Sequence, residues 1–243
     1  NDEGEENNLS PEGRWERWRT CSLCEQEYHG VVRCALGWAC WKTYVGQPDE
    51  LFRIDAMTQL GNGLSEAEHY EDAVAVYEAQ LATEERLGED TLITRGNLAI
   101  CLYNLGQLDE ALSMQREVYA GWQNLGDGCP QDIASAVGNL TEYLVAAREF
   151  EEAQSLAREE LPAIIDRHGP DDPLTLEVQT WYALAFFRAD GASEDDVSEA
   201  ETTLEDVWRR SRRVLGDSHP DTERAREFLE EVRSAHVDAA EES

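Results

Sequence analysis

The chain has 243 residues, of which 41% are hydrophobic, and a formal net charge of −32 from 52 acidic and 20 basic side chains. This apolar content is enough for a sizeable core, so composition excludes a disordered polymer. The negative charge disfavours nucleic acid and anionic membranes as partners and favours neutral or basic protein segments. No apolar run is as long as a membrane span, so we expect no transmembrane helix.

The N-terminal part of the sequence is predicted to form a short cap. Residues 1–10 are polar and acidic and are expected to be a disordered tail. Residues 11–47 contain a cluster of cysteines and tryptophans, and their apolar residues follow a helical period from 31 to 45. The four tryptophans are interpreted as a hydrophobic cap on the first repeat, and they are Trp15, Trp18, Trp38 and Trp41.

From residue 48 to 236 the pattern alternates between helices and short turns, and no strand pattern competes with it. With ends uncertain by about 2–4 residues, helices are predicted over 49–65, 70–86, 91–105, 108–124, 131–146, 149–167, 173–189, 194–214 and 220–236. The helices form about four pairs and a final capping helix, followed by an acidic tail at 237–243. The predicted fold class is therefore all-α, an array of antiparallel helix pairs.

The most regular unit of this array lies at residues 94–112. Its first helix ends at Gly106, and its second begins with Asp109 and Glu110, which suit the positive end of a helix. A small residue recurs at matching places of the second helices, where two backbones cross closely. These residues are Ala73, Ala111, Ala153 and, more weakly, Ala200.

The repeated phrases resemble tetratricopeptide repeats of the kinesin light chain kind. The resemblance covers about residues 54–236, and it rests on Asn97-Leu98-Ala99, Tyr103-Asn104-Leu105-Gly106, Asp109-Glu110-Ala111 and the Leu-Gly-X-X-His-Pro-Asp-Thr phrase at 215–222. It implies a right-handed superhelix (solenoid) whose first helices line a concave peptide-binding groove, and it implies no catalytic activity. The leader around Cys21 and Cys24 resembles that of an expanded group of algal proteins with such repeats.

Side-chain amides on the first helices are the candidate binding groups. In the family that the repeats resemble, an Asn at this place often bonds the main chain of a bound peptide. The candidate groove residues are Gln59, Asn62, Asn97, Asn104, Asn139 and Glu142. The alternative is that these amides bond a neighbouring turn and only fix helix stacking. The matching helices offer Arg95 and little other basic charge, so an acidic C-terminal tail is disfavoured as the partner.

The clustered cysteines have the spacing of a zinc knuckle. The ligands would be Cys21, Cys24, His29 and Cys34, with Cys40 as a substitute for the last. However, Tyr28 precedes His29 where a knuckle usually has Gly, and Cys34 falls on an apolar helix stripe, where Cys packs as a small hydrophobe. One structural zinc ion and a metal-free cap without any cofactor therefore both stay open.

No catalytic motif accompanies these features. The sequence has no phosphate-binding loop, glycine-rich fingerprint or His-Glu-X-X-His motif. Cys101 and Cys129 have no His nearby in sequence to activate them. We therefore predict a cytoplasmic, non-catalytic adaptor that binds a peptide or partner protein. The alternative is a zinc-knuckle nucleic-acid-binding module on a helical scaffold, against which the net charge argues.

Overall fold

The computed structural model describes residues 15–126 and 129–241, with side chains described as far as residue 235. This part of the chain folds into ten α-helices and contains no β-strand, although an isolated backbone pair joins Thr20 and Glu27. The helices are α1 (Gly30–Tyr44), α2 (Glu50–Glu66), α3 (Tyr70–Leu87), α4 (Leu92–Asn104), α5 (Leu108–Leu125), α6 (Pro130–Ala146), α7 (Phe150–His168), α8 (Pro173–Phe187), α9 (Glu194–Val214) and α10 (Pro220–Glu241). The all-α prediction is confirmed.

The predicted helices agree with the observed ones within the expected uncertainty of their ends, with one exception. Helix α10 continues to Glu241, whereas the sequence pattern ended it at residue 236 and assigned 237–243 to an acidic tail. Ala239 and Ala240, which are strong helix formers, lie in this extension. The prediction of a disordered tail at residues 1–10 lies outside the described residues.

Local sequence signals set the helix ends. The Asp49 carboxylate accepts a hydrogen bond of 2.9 Å from the Leu51 amide at the start of α2. Ser193 and Asp196 form a reciprocal capping box at the start of α9. Gly88 ends α3 with a φ of +74°, a conformation that glycine adopts without a steric penalty.

The described residues up to Met114 form one compact unit, in which helices α1 to α4 each pack against the next along the chain. Helices α1 and α2 approach closely because two glycines face the partner backbone. A Cβ atom on Gly37 would lie 2.7 Å from the Gln59 carbonyl oxygen, and one on Gly63 would lie 2.7 Å from the Arg33 carbonyl oxygen. A larger residue at either position would therefore force the helices apart.

The aromatic cap lies at the start of this unit. Cys40, Tyr44 and Ala56 are buried together, and the partly buried side chains of Trp15, Trp18, Trp41 and Phe52 pack against them. Trp38 differs from the prediction, because it is 44% exposed and does not join this cluster. Its position on α1 turns it away from the cysteine and tyrosine that the other tryptophans cover.

The described residues from Gln115 onward form the second compact unit, and the division falls inside α5, after Met114. Helices α6 to α10 pack in sequence, and the first helices of successive pairs also touch, α6 with α8 and α8 with α10. One core cluster joins α8, α9 and α10 through Ala183, Ala200, Leu204, Leu229 and Val232. Across the described residues, no helix has the length and apolar composition that crossing a membrane requires.

Candidate functional site

Two of the candidate groove residues, Asn62 and Asn97, meet in the first unit. The Asn97 side-chain amide donates a 3.4 Å hydrogen bond to Asn62 Oδ1, and the Tyr77 hydroxyl donates one of 2.7 Å to the same oxygen. Both bonds use the oxygen of Asn62, so its NH₂ group keeps its donors for a ligand. The repeats thus place amides from α2 and α4 side by side.

The position of Tyr77 depends on a glycine below it. A Cβ atom on Gly61 would lie 2.5 Å from the Tyr77 ring, so only glycine lets the ring lie against α2. Tyr77 is 1% exposed, and burial raises the pKa of its hydroxyl far above the ordinary value. The hydroxyl therefore keeps its proton and remains a hydrogen-bond donor to Asn62 at all ordinary pH values.

These residues line a pocket of about 170 Å³, which we call the Asn62 pocket. It is lined by Arg33, Asn62, Ser65, Glu66, Tyr77, Asn97 and Ile100. The pocket combines residues of the cap helix α1 with residues of α2, α3 and α4. Behind it, the Cys101 thiol lies 3.6 Å from the Ser65 hydroxyl. Six of the seven lining residues have a side chain that can form hydrogen bonds, which suits a ligand with polar groups.

Arg33 is a pocket residue that sequence reasoning missed. The residue is 5% exposed, and its Nε has no hydrogen-bond partner among the described residues. On the repeat helices the sequence offers Arg95 as the basic candidate. Arg33 instead lies on α1. The sequence pattern of this helix is a period of apolar residues, to which Arg33 does not belong. The crossing of α1 and α2 at Gly37 and Gly63, which brings Arg33 to the pocket, has no signal in a linear pattern.

The other candidate groove residues of the first unit lie outside this pocket. Gln59 is half-buried, and its side-chain oxygen has no hydrogen-bond partner within the described chain. Asn104 is exposed and donates a 2.8 Å hydrogen bond to the Ile100 carbonyl of its own helix. The bond of Asn104 is local to α4, and both the groove role and the stacking role of these amides stay predictions.

In the second unit, Asn139 is half-buried on α6, and Glu142 follows it on the same helix. The Glu177 carboxylate of α8 lies over Gly138, where an added Cβ would be 3.2 Å from its Oε2. Burial and then repulsion from Glu142 raise the pKa of Glu177 to about 7. The region around Glu142 is therefore acidic, although Arg224 partly offsets the repulsion.

Of the proposed zinc ligands, the structure joins Cys21 with Cys24. A tight turn brings them together, in which the Cys21 amide donates to the Gln26 carbonyl and the Glu25 amide to the Cys21 carbonyl, each at 2.8 Å. Hydrogen bonds from the backbone of Leu23, and then of Cys24, lower the pKa of the Cys21 thiol to about 7. Such donors stabilise the thiolate, which is the form that binds metals.

His29 and Cys34 are not part of this turn. His29 Nδ1 lies 3.8 Å from the Glu66 carboxylate, and Cys34 is half-buried on α1, where burial raises the pKa of its thiol. In the described parts of the chain, no three His, Cys, Asp or Glu residues are grouped to hold a metal ion. A structural zinc ion usually has four ligands, so the zinc site stays a prediction.

Within each compact unit, antiparallel helices that pack in sequence are typical of a helical-repeat protein. The family model of the tetratricopeptide repeat matches residues 91–125 and 194–221. These segments contain α4 with α5, and α9 with the start of α10. Both segments therefore match the tetratricopeptide repeat model, in agreement with the resemblance of the sequence phrases. No curated protein matches the sequence significantly.

Solved structures with similar folds are kinesin light chain-like repeat proteins. Two are forms of a Podosopora anserina protein with nearly identical TPR-like repeats, named for kinesin light chain. The first form, a substitution variant, has a TM-score of 0.56 and 17% identity, covering 76% of this chain and 85% of that one. The other has a TM-score of 0.58 and 20% identity, covering 78% and 89%. The third, BtubC (BKLC) from P. vanneervenii, has a TM-score of 0.52 and 13% identity, covering 84% and 90%. At these identities the likeness concerns the fold.

Proposed function

We propose that this protein is a non-catalytic adaptor that binds an extended peptide, or an exposed segment of a partner protein, along the first helices of its repeats. The repeat fold supports a protein–protein interaction scaffold. The observation that carries the finer proposal is the Asn62–Asn97 pair at the Asn62 pocket. Amide groups can bond the carbonyls and N–H groups of a peptide main chain whatever its sequence.

The charge of the chain supports a neutral or basic partner segment. The net charge is −32, and in the second unit Glu142 and Glu177 lie close enough to disfavour the ionisation of Glu177. A basic segment would be attracted to such a surface and would reduce this repulsion. The same field repels nucleic acid, which disfavours the alternative of a zinc-dependent nucleic-acid module. The six free cysteines support a reducing compartment such as the cytoplasm.

A random peptide library tests the adaptor proposal. Peptides selected on the purified chain would be resynthesised with a fluorophore and their binding measured by anisotropy. We expect the double variant Asn62→Ala/Asn97→Ala to bind them at least about tenfold more weakly than the wild type. Asn124→Ala, an exposed Asn outside the pocket, is the matched control and should bind like the wild type. Equal binding by all three proteins would reject the assignment of these amides.

The structural zinc ion is a separate proposal. The turn that joins Cys21 and Cys24, with its backbone donors to sulfur, supports two of the four ligands. Metal analysis of the purified chain, beside a Cys21→Ser/Cys24→Ser variant, measures whether zinc is bound at this turn. A stoichiometric zinc content that the variant loses would support the proposal, and equal metal content in both proteins would reject it.

A further inference from the structure

We propose that two copies of this chain share one zinc ion, which is held by Cys21 and Cys24 of each copy. The inference rests on the separate zinc proposal above and deepens it, because it names the source of the two ligands that one chain does not supply. Four thiolates around the ion form a tetrahedral set, which is a common structural zinc site. A second copy of the same turn completes this set.

The first argument is that the turn around Cys21 already has the form of half a zinc site. Thr20 and Glu27 pair across its base, and the Cys21 sulfur accepts hydrogen bonds from the backbone N–H groups of Leu23 and Cys24. Donors of this kind orient a sulfur ligand and stabilise its thiolate form, as the outer partners of metal ligands do. The Cys24 thiol also bonds to the Cys21 sulfur, so the two thiols are already adjacent.

The second argument is that the described chain offers no third ligand at this turn. His29 has an extended backbone, with a φ of −128° and a ψ of 159°, so its side chain and that of Tyr28 point to opposite sides. Tyr28 bonds to the Cys21 sulfur, whereas His29 Nδ1 lies 3.8 Å from the Glu66 carboxylate of α2. Across the described residues, no three potential ligands are grouped. Residues 1–14 contain no cysteine and no histidine.

The cysteines of α1 do not complete the site either. Cys40 is fully buried and belongs to the cluster that the aromatic cap covers. Cys34 is half-buried, and its Cα would lie 2.8 Å from a Cβ on Gly63, so α2 holds its backbone in place. A single chain therefore supplies two of the four thiols. By two-fold symmetry, a second identical turn supplies the other two.

The third argument is that the turn is open to a second copy. Leu23, which lies between the two cysteines in sequence, is 93% exposed, and Cys24 is exposed as well. Half of the ten exposed large hydrophobic side chains of the described residues lie between residues 23 and 45. They are Leu23, Val31, Val32, Trp38 and Val45. Exposed apolar side chains that gather in one segment are typical of a contact surface. Pairing at the turn would cover Leu23 in both copies.

The fourth argument is the charge of the segment that carries the turn. Residues 15–45 contain four basic and three acidic side chains, although the whole chain has a net charge of −32. Two copies therefore repel each other least where this segment meets its equivalent. The small positive charge of the segment also offsets the negative charge that a zinc ion with four thiolates retains. A second copy thus fits the leader better than it fits the acidic repeats.

Sedimentation of the full, reduced chain tests this inference with zinc chloride as the probe. A chelator first removes all metal, so that the starting state is the monomer of 27.4 kDa. Zinc is then added stepwise, and the mass and the bound metal are measured together. We expect a dimer that contains one zinc ion for every two chains, and chelation should return it to the monomer. Because each thiol loses its proton on binding, zinc addition should also release protons.

Three variants assign the dimer to the turn. Cys21→Ser/Cys24→Ser removes both ligands and should stay monomeric when zinc is added. Cys129→Ser replaces a half-buried cysteine of the second unit and should dimerise like the wild type. His29→Ala keeps both thiols and should also dimerise like the wild type. Loss of zinc binding by His29→Ala would place a further ligand within one chain and overturn the shared site. Circular dichroism without zinc checks that each variant is folded.

The outcomes separate this inference from the zinc proposal on which it rests. One zinc ion per monomeric chain, lost by Cys21→Ser/Cys24→Ser, would support the zinc proposal and overturn the shared site. A dimer that forms equally without zinc, or equally with the double variant, would overturn the shared site as well. A reduced wild-type chain that binds no zinc would reject both proposals.

Discussion

The Tyr77 hydroxyl donates a 2.7 Å hydrogen bond to Asn62 Oδ1, and this bond orients the amide that faces the pocket. The ring itself rests on Gly61, and its burial keeps the hydroxyl protonated. A side chain on the second helix of one pair thus sets the donor and acceptor pattern on the first helix. A buried side chain from another helix therefore controls how the pocket presents the Asn62 amide.

Replacing Tyr77 by Phe should loosen Asn62. The variant loses a buried hydrogen bond, and the remaining bond to Asn62 Oδ1 is the longer one from Asn97, at 3.4 Å. We expect a loss of about 0.5–1.5 kcal/mol in the free energy of unfolding, together with weaker peptide binding. Urea denaturation and fluorescence anisotropy measure the two effects. Tyr182→Phe is the control, because the Tyr182 ring contacts Phe186 and its hydroxyl has no described hydrogen bond.

Replacing Gly63 by Ala should destabilise the contact between α1 and α2. The new Cβ would lie 2.7 Å from the Arg33 carbonyl oxygen and 2.8 Å from the Cys34 Cα, which are backbone atoms that cannot rotate away. We expect a net loss of about 1–3 kcal/mol, despite the better helix propensity of Ala. Thermal unfolding followed by circular dichroism measures it. Gly46→Ala adds a Cβ with nothing within 4 Å and should change little. A Gly63→Ala protein as stable as the wild type would contradict the close contact.

The stability of the protein should depend on the ionisation of Glu177. Its pKa is raised in the folded protein, to about 7 from an ordinary value of 4.5, by burial first and then by Glu142, with Asp221 adding to the effect and Arg224 opposing it. The folded state therefore holds this proton more tightly than the unfolded state. Its contribution to stability is fully present below pH 4.5 and is lost as the pH rises through about 7.

The variant Glu177→Gln should remove this loss. We expect it to be more stable than the wild type by about 1–3 kcal/mol at pH 8, with the difference shrinking toward pH 4.5. Urea denaturation at several pH values between these limits measures the difference. Glu151→Gln, at an exposed position in the first turn of α7, should leave the pH profile unchanged. A difference between Glu177→Gln and the wild type that does not vary with pH would refute this explanation.

The cysteines of the leader should differ in reactivity. Backbone hydrogen bonds lower the pKa of Cys21 to about 7, whereas burial raises the pKa of Cys40 to about 12. About half of the Cys21 thiols are then thiolates at pH 7, which is the reactive form. We expect brief iodoacetamide treatment to modify Cys21 and spare Cys40, as peptide mass spectrometry can measure. Unfolded protein is the control, in which both should react alike. Equal labelling in the folded protein would contradict the difference.

The sequence predicted the helices well because their signals are local. Apolar periods, Gly88 and capping residues such as Asp49 act within one or two turns of chain. The repeat phrase also suggested that Asn62 and Asn97 lie on or beside one face, and the structure places their side chains 3.4 Å apart. The two amides come from the first helices of neighbouring pairs, which a repeat array places side by side.

The remaining features of the site depend on contacts between distant residues. The place of Arg33 in the pocket follows from how α1 crosses α2, which the glycines permit but do not reveal in a linear pattern. Likewise, Trp38 follows the apolar period but lies on the exposed side of α1, because only packing decides which tryptophans are covered. The raised pKa of Glu177 needs three helices in place before its neighbours can act on it.

The close packing of α1 on α2 has a consequence for how the binding preference of such a protein can change. One wall of the Asn62 pocket comes from the leader, outside the repeats that provide the amides. A relative could exchange its leader and acquire a different preference while every repeat helix stayed the same. Conversely, a truncation that starts at the first repeat would remove Arg33 and expose Gly63 of α2 to solvent.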